Sequence, residues 1–72
     1  MKSLELPYEN HVIAVHIFEG VDGHFTVMAE VRSIGNPEPL TTLVSAERFV
    51  SKDRAHQAGM GRGQKWVDEQ AG

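Results

Sequence analysis

The chain contains no cysteine. This absence excludes disulfide cross-links and every metal site built on thiolates. A domain of 72 residues buries only about 60% of the surface that its unfolded chain exposes, so its core is thin. Self-association is a common remaining source of stability for such a domain. We expect one cytoplasmic domain over residues 1–72, because proteins of reducing compartments seldom carry disulfides.

Positive charge and long apolar runs are also scarce. Seven Lys and Arg residues stand against ten Asp and Glu residues, which gives a formal net charge of −3. This balance disfavours non-specific nucleic-acid binding, since that requires several cations to neutralise phosphates. The longest apolar run covers residues 12–15, far short of the roughly 20 residues of a membrane span. The first nine residues lack the apolar core of a secretory signal.

Two strands are predicted in the first half of the chain. Residues 11–18 (HVIAVHIF) are rich in β-branched and aromatic residues, and residues 24–32 (HFTVMAEVR) alternate apolar with mostly polar side chains. The intervening EGVDG segment is typical of a turn. A five-residue loop pairs the larger apolar residues on one face: Ile17 with Phe25, Val15 with Val27, and Ile13 with Ala29. A two-residue turn at Asp22 and Gly23 would direct that face away from the core, so the longer loop is favoured.

A third strand and a helix are predicted in the second half. A turn with two prolines precedes a strand over residues 40–45, and Phe49 is expected to anchor the irregular segment that follows. Ser51 is a candidate N-cap for a helix over residues 51–70. Three glycines inside this helix cost about 1 kcal/mol each relative to alanine. The helix therefore either packs its glycines against the sheet or breaks near Gly59 and restarts near Arg62.

These elements predict an α+β fold of order β-β-β-α. Residues 1–9 form an N-terminal arm, residues 10–50 a three-stranded antiparallel sheet, and residues 51–70 a C-terminal helix packed on one face of that sheet.

No motif predicts catalysis or a cofactor. The AGMGRGQK segment over residues 58–65 lacks the G-x-x-x-x-G-K-S/T pattern of nucleotide-binding loops, and no G-x-S-x-G segment exists. Close packing of the glycines is the favoured interpretation, with Arg62 and Lys65 as anion contacts in the alternative. His16 and His24 are predicted to be diagonal neighbours beside Asp22, but solvated histidines are favoured over a metal site because no typical ligand spacing is present.

The sheet face away from the helix is the most informative feature. It is predicted to carry apolar residues among polar ones: Val12, Ala14, Phe18 and Met28, with Val44 of the third strand as a further candidate. Cross-strand neighbours form a contiguous patch, and such a patch on a small domain usually marks an interface. The sequence therefore predicts a non-enzymatic module that forms a homodimer or binds a protein partner. The alternative is a nucleic-acid or phosphate binder that uses Arg62 and Lys65.

Two resemblances add to this interpretation. The FVS segment that enters the helix, together with the KWVD segment near its end, resembles small uncharacterised bacterial proteins of β-β-β-α order over residues 11–70. That resemblance implies a bacterial cytoplasmic protein without catalytic residues to carry over. The segments GHFTVMAEV and GRGQK are similar to the second strand and the helix start of double-stranded RNA-binding domains. That family's N-terminal helix and paired lysines are missing here; its phosphate contacts would fall on Arg62 and Lys65.

Overall fold

A four-stranded antiparallel sheet with one helix on one face forms the molecule. The computed structural model describes residues 2–71. The sheet has the strand order β1-β2-β3-β4, and the α+β class predicted from the sequence is confirmed. The elements are β1 (Lys2–Tyr8), β2 (His11–Glu19), β3 (Phe25–Ser33), β4 (Pro39–Val44) and α1 (Lys52–Ala71).

The segment predicted as an N-terminal arm is an edge strand, and the prediction of three strands was wrong. β1 pairs with β2 in register from Lys2 opposite Ile17 to Tyr8 opposite His11. The turn between them is made by Glu9 and Asn10, with φ angles of 50° and 64°. Positive φ at both positions is the geometry of a type I′ hairpin turn, which is usually recognised in a sequence by Asn-Gly or Asp-Gly. No glycine marks this turn, so the strand was missed.

The predicted faces of the central hairpin are correct, but its register is not. The structure pairs Ile17 with Val27, Val15 with Ala29 and Ile13 with Val31, which is two residues away from the expected pairing. A two-residue shift keeps each side chain on its own face, because strand side chains alternate with period two. The loop lies one residue later than predicted, and the Gly20 N–H donates to the His24 carbonyl at 2.8 Å.

Helix α1 begins at a capped end and runs unbroken through its glycines. The Ser51 hydroxyl accepts a hydrogen bond from the Arg54 N–H at 3.2 Å, which confirms the predicted N-cap. A Cβ on Gly59 would lie 2.7 Å from Val27 Cγ2, and one on Gly63 would lie 2.6 Å from Ile13 Cγ2. The alternative of a break near Gly59 was wrong, since these glycines permit close contact between helix and sheet.

The core lies between α1 and the two central strands. Its fully buried members are apolar: Ile13, Val15, Val27, Val31, Ala55 and Val67. The predicted anchor Phe49 packs against them and bridges to Phe25. Helix α1 packs on β2 and β3, so the helix side of both edge strands remains accessible. Over residues 2–71, no helix has the apolar length that a membrane crossing requires.

The contrast between Gly63 and Gly61 tests the packing of α1. We expect Gly63→Ala to destabilise the protein by up to about 2 kcal/mol, because strain against Ile13 of about 1–3 kcal/mol offsets the helix-propensity gain of about 1 kcal/mol. Gly61→Ala is the matched control. Its new Cβ would meet nothing within 4 Å, so the same propensity gain should raise stability by about 1 kcal/mol. Urea denaturation of both variants measures this, and equal effects would contradict the close-contact interpretation.

Candidate interaction surfaces

The four residues predicted as an interface all lie on the outer face, defined here as the side of the sheet opposite α1. Phe18 is 41% exposed, whereas Val12 and Met28 are half-buried. Ala14 is only 3% exposed and therefore offers little contact area. The structure thus places the predicted residues on one face without making all of them accessible.

A polar band crosses the outer face at Ala14. The two cross-strand neighbours of Ala14 are Glu5 and Glu30. Glu30 Oε1 lies 2.8 Å from His16 Nε2, and Glu5 Oε1 lies 3.0 Å from Arg32 Nη2. These ordered side chains flank the small methyl group of Ala14 and explain its burial. The band separates Val12 from Phe18 and Met28, so the apolar surface is divided.

The larger apolar area lies at the hairpin end of the outer face, and we call Phe18, Met28 and Val44 the outer patch. Met28 pairs directly with Val44, and Phe18 pairs with Thr26, which makes Phe18 a diagonal neighbour of Met28. Val44 is 72% exposed. The sequence predicts Phe18 and Met28 on this face by alternation and adds Val44 as a further candidate; the structure shows that Val44 is the direct cross-strand partner of Met28.

A cleft of about 570 Å³ lies on the other side of the sheet, between β4 and α1. We call it the β4 cleft; it is lined by Leu43 and by helix residues Ala58, Gly61, Arg62, Lys65, Trp66 and Glu69. Its volume is within the usual range for a binding site. The Trp66 ring stands edge-on to His11, with 6.4 Å between the ring centroids, so one wall of the cleft is held in place by β2.

Both predicted anion contacts lie in the β4 cleft. Carboxylates lie beside them: Arg62 Nη2 is 3.7 Å from Glu47 Oε1, and Glu69 lines the same cleft. The glycines around Arg62 are interior residues of α1, where backbone N–H groups serve the helix itself. A glycine loop that cradles a phosphate with its amides is therefore not formed.

The two histidines expected to be neighbours are separated. His16 lies opposite Met28 in the sheet, whereas His24 lies in the hairpin loop, with its Nδ1 3.4 Å from Asp22 Oδ2. Within residues 2–71, no group of three or more His, Cys, Asp or Glu residues is arranged to hold a metal ion. The predicted diagonal contact between His16 and His24 was wrong, because the shifted register places His24 opposite Gly20.

Asp22 joins the hairpin loop to the segment that follows β4. It accepts hydrogen bonds from the His24 N–H at 3.1 Å and from Arg48 Nη1 at 2.7 Å. The backbone hydrogen bond from His24, and then the charge of Arg48, hold the pKa of Asp22 below its ordinary value. These contacts fix the loop that borders the outer patch.

Tyr8 connects the end of β1 to the end of α1. Its hydroxyl donates to Asp68 Oδ1 at 2.8 Å. This hydrogen bond, followed by desolvation and the negative charges of Asp68 and Glu9, raises the pKa of Tyr8 above its ordinary value. The contact holds β1 in place beside the helix.

The chain has one tyrosine, so this contact can be tested by absorbance titration. We expect Tyr8 to ionise at a higher pH in the folded protein than in the unfolded chain. The neutral phenol then contributes stability that is present below the unfolded pKa and is lost as the pH rises through the folded pKa. Asp68→Asn removes the negative charge and should lower the folded midpoint. An unchanged midpoint in that variant would contradict the contact; Glu69→Gln is the matched control and should leave it unaltered.

Comparisons with protein-family models, with curated proteins and with solved structures found no match for this chain. The function is therefore argued from the geometry of these surfaces.

Proposed function

We propose that the chain is a non-enzymatic interaction module that self-associates through its outer patch. The observation that carries this proposal is the exposure of neighbouring apolar side chains, with Phe18 and Val44 at 41% and 72%. Contiguous apolar surface on a small domain is typical of an interface. A chain without cysteine also fits the reducing cytoplasm, where association is an available means of stabilising a thin core.

The surroundings of the outer patch resemble the rim of an interface. His16 and Glu30 border Met28 on β2 and β3, and Thr26 lies opposite Phe18. An apolar centre with a polar rim is the usual anatomy of a protein interface. A two-fold dimer is the simplest arrangement, because it buries the same patch on both copies.

Anion binding has weaker support in this geometry. Glu47 and Glu69 offset the charges of Arg62 and Lys65 at the β4 cleft, and the glycine amides belong to a continuous helix. The three side chains of the outer patch are all apolar, so charge neutralisation of this kind does not weaken the proposal there. The outer patch is therefore the favoured site of function.

The substitution Val44→Asp tests self-association. Val44 is largely exposed, so an aspartate there should leave the fold intact while placing a carboxylate in the buried centre of each dimer. We expect the dissociation constant to rise at least about tenfold, which corresponds to about 1.4 kcal/mol. Met28→Asp should act in the same direction. Molar mass by light scattering on a sizing column, over a range of concentrations, measures the effect.

Ile34→Asp is the matched control, because Ile34 is 59% exposed and lies beyond β3 at the opposite end of the sheet. It should associate like the unaltered protein. A monomer at every concentration, or a dissociation constant that is unchanged in both Val44→Asp and Met28→Asp, would show that the outer patch is not the contact.

A further inference from the structure

The two edge strands of the sheet, β1 and β4, run in opposite directions. This follows because each strand is antiparallel to the next in the order β1-β2-β3-β4. A second copy related to the first by a translation in the plane of the sheet places its β1 antiparallel to the β4 of the first copy. The sheet then continues across the junction, and both helices remain on the same side.

On the helix side, β1 presents two exposed leucines. Leu4 and Leu6 lie opposite Val15 and Ile13, the residues that face the core, yet they are 51% and 43% exposed. Because α1 packs on β2 and β3, it does not cover them. We call Leu4 and Leu6 the β1 leucines. They are large apolar side chains that α1 leaves about half exposed.

At the other edge, also on the helix side, the β4 cleft is open. Leu43, Ala58 and Trp66 supply its apolar lining beside the charged Arg62, Lys65 and Glu69. An added Cβ on Gly61 would meet nothing within 4 Å. The six residues of β4, PLTTLV, carry no charge. Edge strands are usually protected against pairing by charged residues, and over residues 41–44 this strand has neither a charge nor a proline.

We infer that β1 of one copy adds to the free edge of β4 in a second copy and inserts the β1 leucines into the β4 cleft. The backbone groups of the two edges supply a ladder of hydrogen bonds, without a donor at Pro7 of β1. Alternate side chains enter the cleft, as in other cases of strand addition. Of the outer patch, only Val44 belongs to β4; the side chains of Phe18 and Met28 take no part in this contact. It joins two different surfaces, so it is head-to-tail and extends into open chains or closed rings.

Symmetric pairings of like edges fit the surfaces less well. Pairing β1 with β1 over its full length places Glu5 opposite Glu5 of the second copy, and like charges directly opposite one another are destabilising. Pairing β4 with β4 sets one cleft against another. That arrangement leaves both clefts unfilled and the β1 leucines exposed, whereas the head-to-tail contact satisfies both surfaces at once.

The test uses two variants that each block one side of the contact. Leu6→Asp places a carboxylate among the β1 leucines. Gly61→Leu fills the β4 cleft, and because leucine favours the helix more than glycine does, a loss of association cannot be ascribed to unfolding. Both are made together with Phe18→Asp, which disables the outer patch without altering either edge strand. The failure of one interface can then be distinguished from the failure of the other.

The proposal predicts a specific pattern in sedimentation velocity. Phe18→Asp alone should form oligomers that grow with concentration, and each blocked variant should remain a monomer. A 1:1 mixture of the two blocked variants should form a heterodimer, because one retains a free cleft and the other retains free β1 leucines. Trp66 is the only tryptophan, and its emission should shift to shorter wavelength in the mixture as the leucines cover the indole.

Two further variants serve as controls. Gly61→Ala gives a comparable helix gain with little added volume and should preserve the oligomers, and Ile34→Asp should preserve them as well. A monomeric Phe18→Asp variant, a mixture that stays monomeric, or a Gly61→Leu variant that still associates would each overturn the proposal. If the Leu6→Asp variant lost association and the Gly61→Leu variant did not, the contact would instead be a pairing of two β1 edges.

Discussion

The close contact between α1 and the sheet at Gly59 and Gly63 is the constraint on which the rest of the structure depends. Side chains at these positions would collide with Val15, Val27 and Ile13, all of them β-branched residues of the packed centre. The helix can therefore sit deep over β2 and β3 only because two of its turns carry no side chain there. Packing offsets the unfavourable helix propensity of glycine, so α1 is stable through its contact with the sheet rather than by itself.

This central position of α1 also determines which surfaces remain for binding. One helix lying over two strands cannot cover a sheet of four, and the helix side of each edge strand is left accessible. On one edge this exposes the β1 leucines, and on the other it opens the β4 cleft. Within residues 2–71, no second layer covers the outer face, and there the His16–Glu30 and Arg32–Glu5 contacts cover much of the central surface. The proposed contact through the outer patch uses the uncovered outer face, and the proposed contact between β1 and β4 uses the edge strands that α1 leaves accessible.

The sequence predicted the faces of the strands better than their partners. Strict alternation placed Ile13, Val15 and Val27 toward the core whichever register applied, and the Ser51 cap marked the helix start by local chemistry alone. The strand β1 was missed because its turn is formed by Glu9 and Asn10 without a glycine. That omission had a second effect: without β1, Glu5 could not be placed beside Ala14. The burial of Ala14 and the division of the outer face were therefore out of reach of sequence reasoning.

The hydrogen bond between Tyr8 and Asp68 spans 60 positions of the chain, and this separation bears on how the protein is made. A ribosome synthesises the chain from its N-terminus, and its exit tunnel retains the most recent residues. β1 can pair with β2 early, but it cannot be tied to the helix until Asp68, 60 positions later, has left the tunnel. The core residue Val67 comes equally late. The contact that holds β1 beside α1 therefore forms well after the β1–β2 hairpin can pair.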